Sequence, residues 1–185
     1  MKAGLLAQLR NTDLSRAKRL GIVVTGILCS ALILPALVGL RLNDSPSLPV
    51  GLYIVTWDPN ATLVEFCPAE PYAALAVARG YRDQGNCPDG GAPLIKPIAA
   101  RSGDTVELST RGVTVNGKAL LNSGALGIDT DRRQLLHWPF GTYKVQAGYV
   151  WVISSYNRRS FDSRYFGPLS VKSIRDHVRP VFTMY

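Results

Sequence analysis

Histidine is nearly missing. His137 and His177 are the only two in 185 residues. Neither lies in a Gly-x-Ser-x-Gly elbow or a metal motif, so both read as structural and a histidine-based hydrolase centre is not expected. Walker loops and dinucleotide fingerprints are also lacking, so no nucleotide or other cofactor is expected. Cysteine is scarce, at three residues. No CxxC pair occurs and no histidine stands near a cysteine, which argues against a zinc centre or any other metal site. Long basic runs and aromatic-basic repeats are missing, so nucleic acid is not an expected partner. There is no internal repeat and no low-complexity tract.

Charge is missing from one stretch in particular. Leu20–Leu40 has no charged residue over 21 positions, about the length that crosses a hydrocarbon core as a helix. Pro35 falls inside it, which a membrane helix tolerates. Cys29 also falls inside it and reads as a small packing residue. The net charge of +8 divides equally between residues 1–40 and 41–185. In the first part the excess sits largely at Arg16, Lys18 and Arg19, a basic flank that belongs on the cytoplasmic side. No small-x-small cleavage site follows the apolar block, so a retained anchor is expected rather than a removed signal peptide. The expected organisation is a cytoplasmic basic segment 1–19, a transmembrane helix 20–40 and an exported domain 41–185.

Beyond the span, short β-prone runs alternate with turn residues. Strands are expected at Gly51–Thr56, Leu94–Ala100, Thr105–Thr110 and Gly112–Gly117, then strand, turn, strand over Tyr143–Ser154. Asn116-Gly117 is a two-residue hairpin turn signal. Residues 60–93 read as a looser insertion with a short Ala-rich helix at Tyr72–Arg82. Cys67 and Cys87 bracket that helix, and in an exported domain such a pair is expected as a disulfide. Residues 121–141 and 155–168 read as loops, and Val171–Tyr185 as a turn and a closing strand. The fold class is mainly β, a barrel-like arrangement of curled sheets with one N-terminal transmembrane helix.

Three stretches carry candidate chemistry. In Asn43–Tyr53, Pro46 and Pro49 restrict the backbone around Ser45 and Ser47, and a restricted hydroxyl suits a nucleophile. Lys96 interrupts the apolar run Leu94–Ala100. Either it snorkels from an edge strand, or it is buried with a lowered pKa and can take a proton from a serine. Ser160, Asp162 and Arg164 alternate and would share one face of an extended segment. There they would either orient a lysine amine and brace the loop, or form a solvated turn.

Taken together, Ser47-Leu-Pro-Val-Gly-Leu-Tyr53, Pro93-Leu-Ile-Lys-Pro97 with Gly103-Asp104, and Ser160-Phe-Asp-Ser-Arg-Tyr-Phe-Gly-Pro168 resemble three boxes of the signal peptidase superfamily of membrane-anchored Ser/Lys proteases (family S26). The segment Arg79–Gly91, with Cys87-Pro88, is similar to its conjugal transfer TraF branch. Pro97 departs from the pattern, since many relatives carry Arg there. The resemblance implies a signal-peptidase-like β domain with Ser47 as nucleophile and Lys96 as general base. It implies an oxyanion hole from the Ser45 hydroxyl and the Ser47 N–H, and Ser160 hydrogen-bonded to the lysine. Asp162 matches an acidic position of the TraF branch, with pairing to Arg164 as the structural alternative. It further implies a bacterial inner-membrane protein with a periplasmic catalytic domain. Its partner would be a pilin precursor or another exported preprotein, within conjugative transfer machinery, and its product is in some members a cyclic subunit. Two alternatives stay open: a general signal peptidase, and a non-catalytic pilus-assembly protein.

Overall fold

The computed structural model describes residues 20, 22–25 and 38–184. Among the described residues no helix is long and apolar enough to cross a membrane. The segment 1–19 and most of the expected span Leu20–Leu40 lie outside the described residues.

In chain order the strands are β1 (Leu40–Asn43), β2 (Val50–Thr56), β3 (Leu63–Phe66), β4 (Leu94–Ala100), β5 (Thr105–Ser109), β6 (Gly112–Val115), β7 (Lys118–Ala119), β8 (Gly141–Lys144), β9 (Tyr149–Val152), β10 (Leu169–Ser170) and β11 (Ile174–Met184). They build a seven-stranded sheet in the order β1-β2-β11-β3-β4-β9-β10 and a four-stranded sheet in the order β7-β6-β5-β8. The register shifts twice along β11 and once along β4. Such irregularities bend strands and increase twist, which is how a long sheet curls. The mainly β expectation holds.

Local chemistry explains several joints. Asn116 and Gly117 both adopt positive φ, 51° and 78°, and connect β6 to β7 with Val115 opposite Lys118. That is the turn type the Asn-Gly pair favours. Gly51 sits at φ +152°, where β2 runs against β11, and a Cβ there would lie 2.1 Å from the Phe182 carbonyl oxygen. No side chain fits that approach.

Two expectations need correction. The stretch 60–93 is not loose throughout, because it contains β3, which lies between β11 and β4. Val64, Glu65 and Phe66 are all buried, so both faces of β3 are covered and no in-out alternation marks it. The segment 155–168 is not simply a polar loop. It holds a one-turn helix, α2 (Ser163–Phe166), with all four residues buried. The Ala-rich helix α1 (Tyr72–Ala78) is present, and it stops short of Arg82. Cys67 and Cys87 are joined in a disulfide, with Cα atoms 5.8 Å apart.

Apolar packing fills two main regions. One gathers Val64, Phe66, Val152, Phe161 and Tyr165 behind the large sheet, with Ala76 of α1. The other joins Val106, Leu108 and Val113 of the small sheet to Trp151 of β9. β9 therefore contributes to both, through Val152 on one side and Trp151 on the other, as strand alternation requires.

Candidate active site

The loop between β1 and β2 holds Ser45 and Ser47. Its shape is set from both ends. Asn43 Nδ2 donates to the carbonyls of Ser45 at 2.9 Å, Pro49 at 3.2 Å and Leu48 at 3.4 Å. From β2, the Tyr53 hydroxyl donates to the Pro49 carbonyl at 2.7 Å. Leu48 is buried beside Tyr53 and Val178, so the loop is pinned by an apolar side chain as well. Ser47 is thereby almost completely buried. Its Oγ lies 3.0 Å from Ser45 Oγ, and its N–H donates to Ser45 Oγ at 3.4 Å. The two groups expected to bind an oxyanion are therefore adjacent.

Lys96 enters from the middle of β4. It stands opposite Val64 of β3, and paired residues of an antiparallel ladder project to one face. Val64 and Lys96 are both buried, and β4 lies inside the sheet between β3 and β9, so the edge-strand alternative is excluded. Lys96 Nζ comes to 2.5 Å from Ser47 Oγ. Burial pulls the ammonium down from 10.5 to about 8, an effect that Arg164 reinforces and Asp162 opposes. The amine thus loses its proton within reach of neutral pH.

Asp162 and Arg164 form a two-point ion pair. Arg164 Nε donates to Asp162 Oδ1 at 2.8 Å, and Nη2 donates to Oδ2 at 2.8 Å. Neither side chain is exposed. The pair is not made by alternation along a strand, as expected. Asp162 is the N-cap of α2 and accepts from the Arg164 N–H. The guanidinium also donates to the carbonyls of Asn122, Gly124, Arg158 and Ser160. A charge buried with this many partners is stably held. Burial pulls the Arg164 pKa down, but its hydrogen bonds and charge pairing with Asp162 outweigh that and leave it raised.

Ser160 is placed differently from expectation. It is buried beside the cleft, but its Oγ has no hydrogen-bond partner. The expected bond to Lys96 is not made.

Ser45, Ser47, Lys96 and Ser160 line a cleft of about 390 Å³; Asp162 and Arg164 lie outside its lining. Asp44, Tyr81, Leu126, Leu135, Phe161 and Tyr165 line it as well. The wall from residues 121–141 is fastened by side chains. Tyr81 OH donates to Asp129 Oδ2 at 2.6 Å, Arg133 Nε donates to the same oxygen at 2.7 Å, and Arg79 Nη1 donates to the Gln134 carbonyl at 2.6 Å. A buried serine hydroxyl touching a buried, readily neutralised amine, in the lining of a partly apolar cleft, can support acyl transfer.

Residues 19–183 match the family model for signal peptidase, peptidase S26. The chain belongs to the signal peptidase family. Among relatives, a conjugal transfer protein TraF of Agrobacterium tumefaciens (strain 15955) is 38% identical over 178 residues, covering 92% of this chain and 99% of that protein. A plasmid transfer protein TraF of Escherichia coli is 34% identical over 171 residues, covering 88% and 94%. A crystal structure of a signal peptidase I from Enterococcus faecalis superposes with a TM-score of 0.36 at 17% identity, covering 66% of this chain and 97% of that one.

Within this peptidase fold, some residues around the site carry no signature in the sequence. Asn43 shapes the loop that carries Ser45 and Ser47, and its only signal is the tendency of Asn to bond nearby main chain in turns. Ser154, fully buried, donates from Oγ to the Ser47 carbonyl. Ser163 Oγ accepts from the Val152 N–H at 2.9 Å, which docks α2 onto β9.

Proposed function

We propose that this signal-peptidase-family chain is a membrane-anchored serine endopeptidase with a Ser47/Lys96 dyad, and that it processes a pilin precursor in conjugative transfer. The observation that carries the dyad is the 2.5 Å approach of Lys96 Nζ to Ser47 Oγ, with both side chains buried. Identity to TraF proteins over most of the chain supports the setting in conjugation.

The uncharged amine of Lys96 accepts the Ser47 proton as Oγ attacks the substrate carbonyl. The oxyanion forms beside the Ser45 hydroxyl and the Ser47 N–H. Each such donor lowers the barrier by about 3 kcal/mol when it is aimed at the developing charge. Protonated Lys96 then gives its proton to the leaving amine, and an acyl-enzyme remains on Ser47. Water resolves it to an acid; the amino terminus of the same subunit would resolve it to a ring. Ser160, with an unpartnered hydroxyl at the cleft, is available to bond Lys96 or substrate.

In this reading the uncharged run from Leu20 anchors the chain in the inner membrane, ending before the turn at Val38–Gly39 and not at Leu40, which opens β1; residues 1–19 are then cytoplasmic and the catalytic domain periplasmic. The uncharged run and its basic flank support it. Ser47 stands only seven positions beyond Leu40, a chain reach of at most about 25 Å, which supports a cut close to the lipid surface.

Mass spectrometry of pilin precursor incubated with the purified full chain tests this. Cleavage by the wild type, and none by Ser47→Ala, is expected. Loss of one further water from the product identifies ring closure. Equal processing by Ser47→Ala overturns the dyad.

A further inference from the structure

Ser154 lies just past the end of β9, where the main chain crosses between the base-bearing strand and the nucleophile-bearing loop. On one side, the Ile153 N–H donates to the Pro97 carbonyl at 3.1 Å, one residue beyond Lys96. On the other, Ser154 Oγ donates to the carbonyl of Ser47 itself. The residue has no solvent exposure. Its own position is fixed twice. Its N–H donates to Asp162 Oδ2 at 3.0 Å, the oxygen that also accepts from Arg164 Nη2. Its Oγ accepts from the Tyr156 N–H at 3.2 Å.

These contacts form one continuous path. It runs from the Arg164 guanidinium through the Asp162 carboxylate to the Ser154 main chain, and from the Ser154 hydroxyl to the Ser47 peptide. A hydroxyl anchored in this way fixes the plane of the Ser47–Leu48 peptide, and with it the backbone angle that aims Ser47 Oγ at Lys96. Ser154 does not line the cleft, so a bound peptide does not need to touch it. The path also gives the buried Asp162–Arg164 pair a task that requires no proton transfer.

We infer that Ser154 is a positioning residue, holding the Ser47 carbonyl on a frame set by Asp162 and Arg164. The inference rests on the proposed Ser47/Lys96 dyad for its effect on rate, but its structural part stands apart from that reading.

The test compares wild type, Ser154→Ala and Ser154→Cys as full chains in detergent, below their unfolding temperatures. Losing a buried hydrogen bond to the nucleophile's peptide should lower kcat about tenfold in Ser154→Ala. KM and the pH midpoint of kcat/KM should stay close to wild type, since Ser154 neither lines the cleft nor bonds Lys96. Hydrogen exchange over residues 43–50 should quicken, while exchange over 94–100 does not. If the alanine variant fails to fold, Ser154→Cys, which keeps the shape with a weaker donor, should move kcat and loop exchange in the same direction. Unchanged kcat in a folded variant, or a rise in KM alone, overturns the inference. If the wild type cleaves no precursor, the dyad reading fails. Faster loop exchange in the variant would then still uphold Ser154 as the holder of the loop, and unchanged exchange would overturn that as well.

Discussion

Ser47 and Lys96 stand 49 positions apart in the chain, yet their terminal atoms approach to 2.5 Å. The strands that follow and carry them, β2 and β4, are not neighbours; β11 and β3 lie between them. The contact therefore depends on the whole sheet being formed and correctly registered. A one-residue slip between β3 and β4 would turn Lys96 to the opposite face.

The first prediction concerns pH and rate. Burial sets the Lys96 amine at about 8, and the proposed mechanism needs it uncharged. Below that pH, kcat/KM should fall about tenfold per unit. It should level off above about 8. A profile from pH 6 to 10 checks this; a midpoint near the ordinary lysine value would mean that the working amine is not the buried one.

The second concerns pH and stability. The unfolded chain keeps Lys96 protonated to about 10.5, the folded chain only to about 8. Between those values the unfolded state binds more protons, so stability rises with pH. Below about 8 the full cost of burying the amine is present. Removing the ionisable group by Lys96→Met should thus stabilise the fold at pH 7, by up to about 3 kcal/mol. The gain should shrink towards pH 10.5. Denaturant unfolding of both proteins at several pH values measures the difference; equal stability throughout would show that burial is not costly here.

The third concerns the ion pair. Arg164→Met leaves the Asp162 carboxylate without its principal partner in a site closed to water. The expected loss is about 3–5 kcal/mol. Thermal unfolding should show a fall of about 10 °C for a chain of this size. A surface-like change of a degree or less would place the pair in contact with water.

The fourth concerns Gly51, within the nucleophile box. A Cβ there meets the Phe182 carbonyl oxygen at 2.1 Å, in a backbone conformation suited to glycine. Gly51→Ala should destabilise the β2–β11 pairing by about 2 kcal/mol or more. Urea unfolding checks it, and a neutral result would show that β11 yields at this point.

Sequence revealed the parts of the site that break a local pattern. Lys96 interrupts an apolar run, and Ser47 stands between prolines. The Asn116-Gly117 turn was legible for the same reason, because few residue pairs tolerate positive φ at both positions. The parts that satisfy main-chain groups left no such mark. Asn43 and Ser154 act on carbonyls, and any nearby chain offers carbonyls. β3 escaped notice because Val64, Glu65 and Phe66 are all covered, which erases alternation. The polar letters of 155–168 suggested solvent, but Asp162, Ser163 and Arg164 satisfy one another and the surrounding main chain, and so are buried. The family resemblance implies a Ser160–Lys96 hydrogen bond; the Ser160 hydroxyl instead remains unpartnered at the cleft.

The most direct test of the account is to trap the covalent intermediate. Pilin precursor is mixed with wild-type chain and with Lys96→Ala, quenched in acid within the first turnover, and digested for mass spectrometry. The account predicts a substrate acyl group on the peptide containing Ser47 in the wild type and none in Lys96→Ala. An acyl group on any other residue, or an equal yield without the lysine, would contradict it.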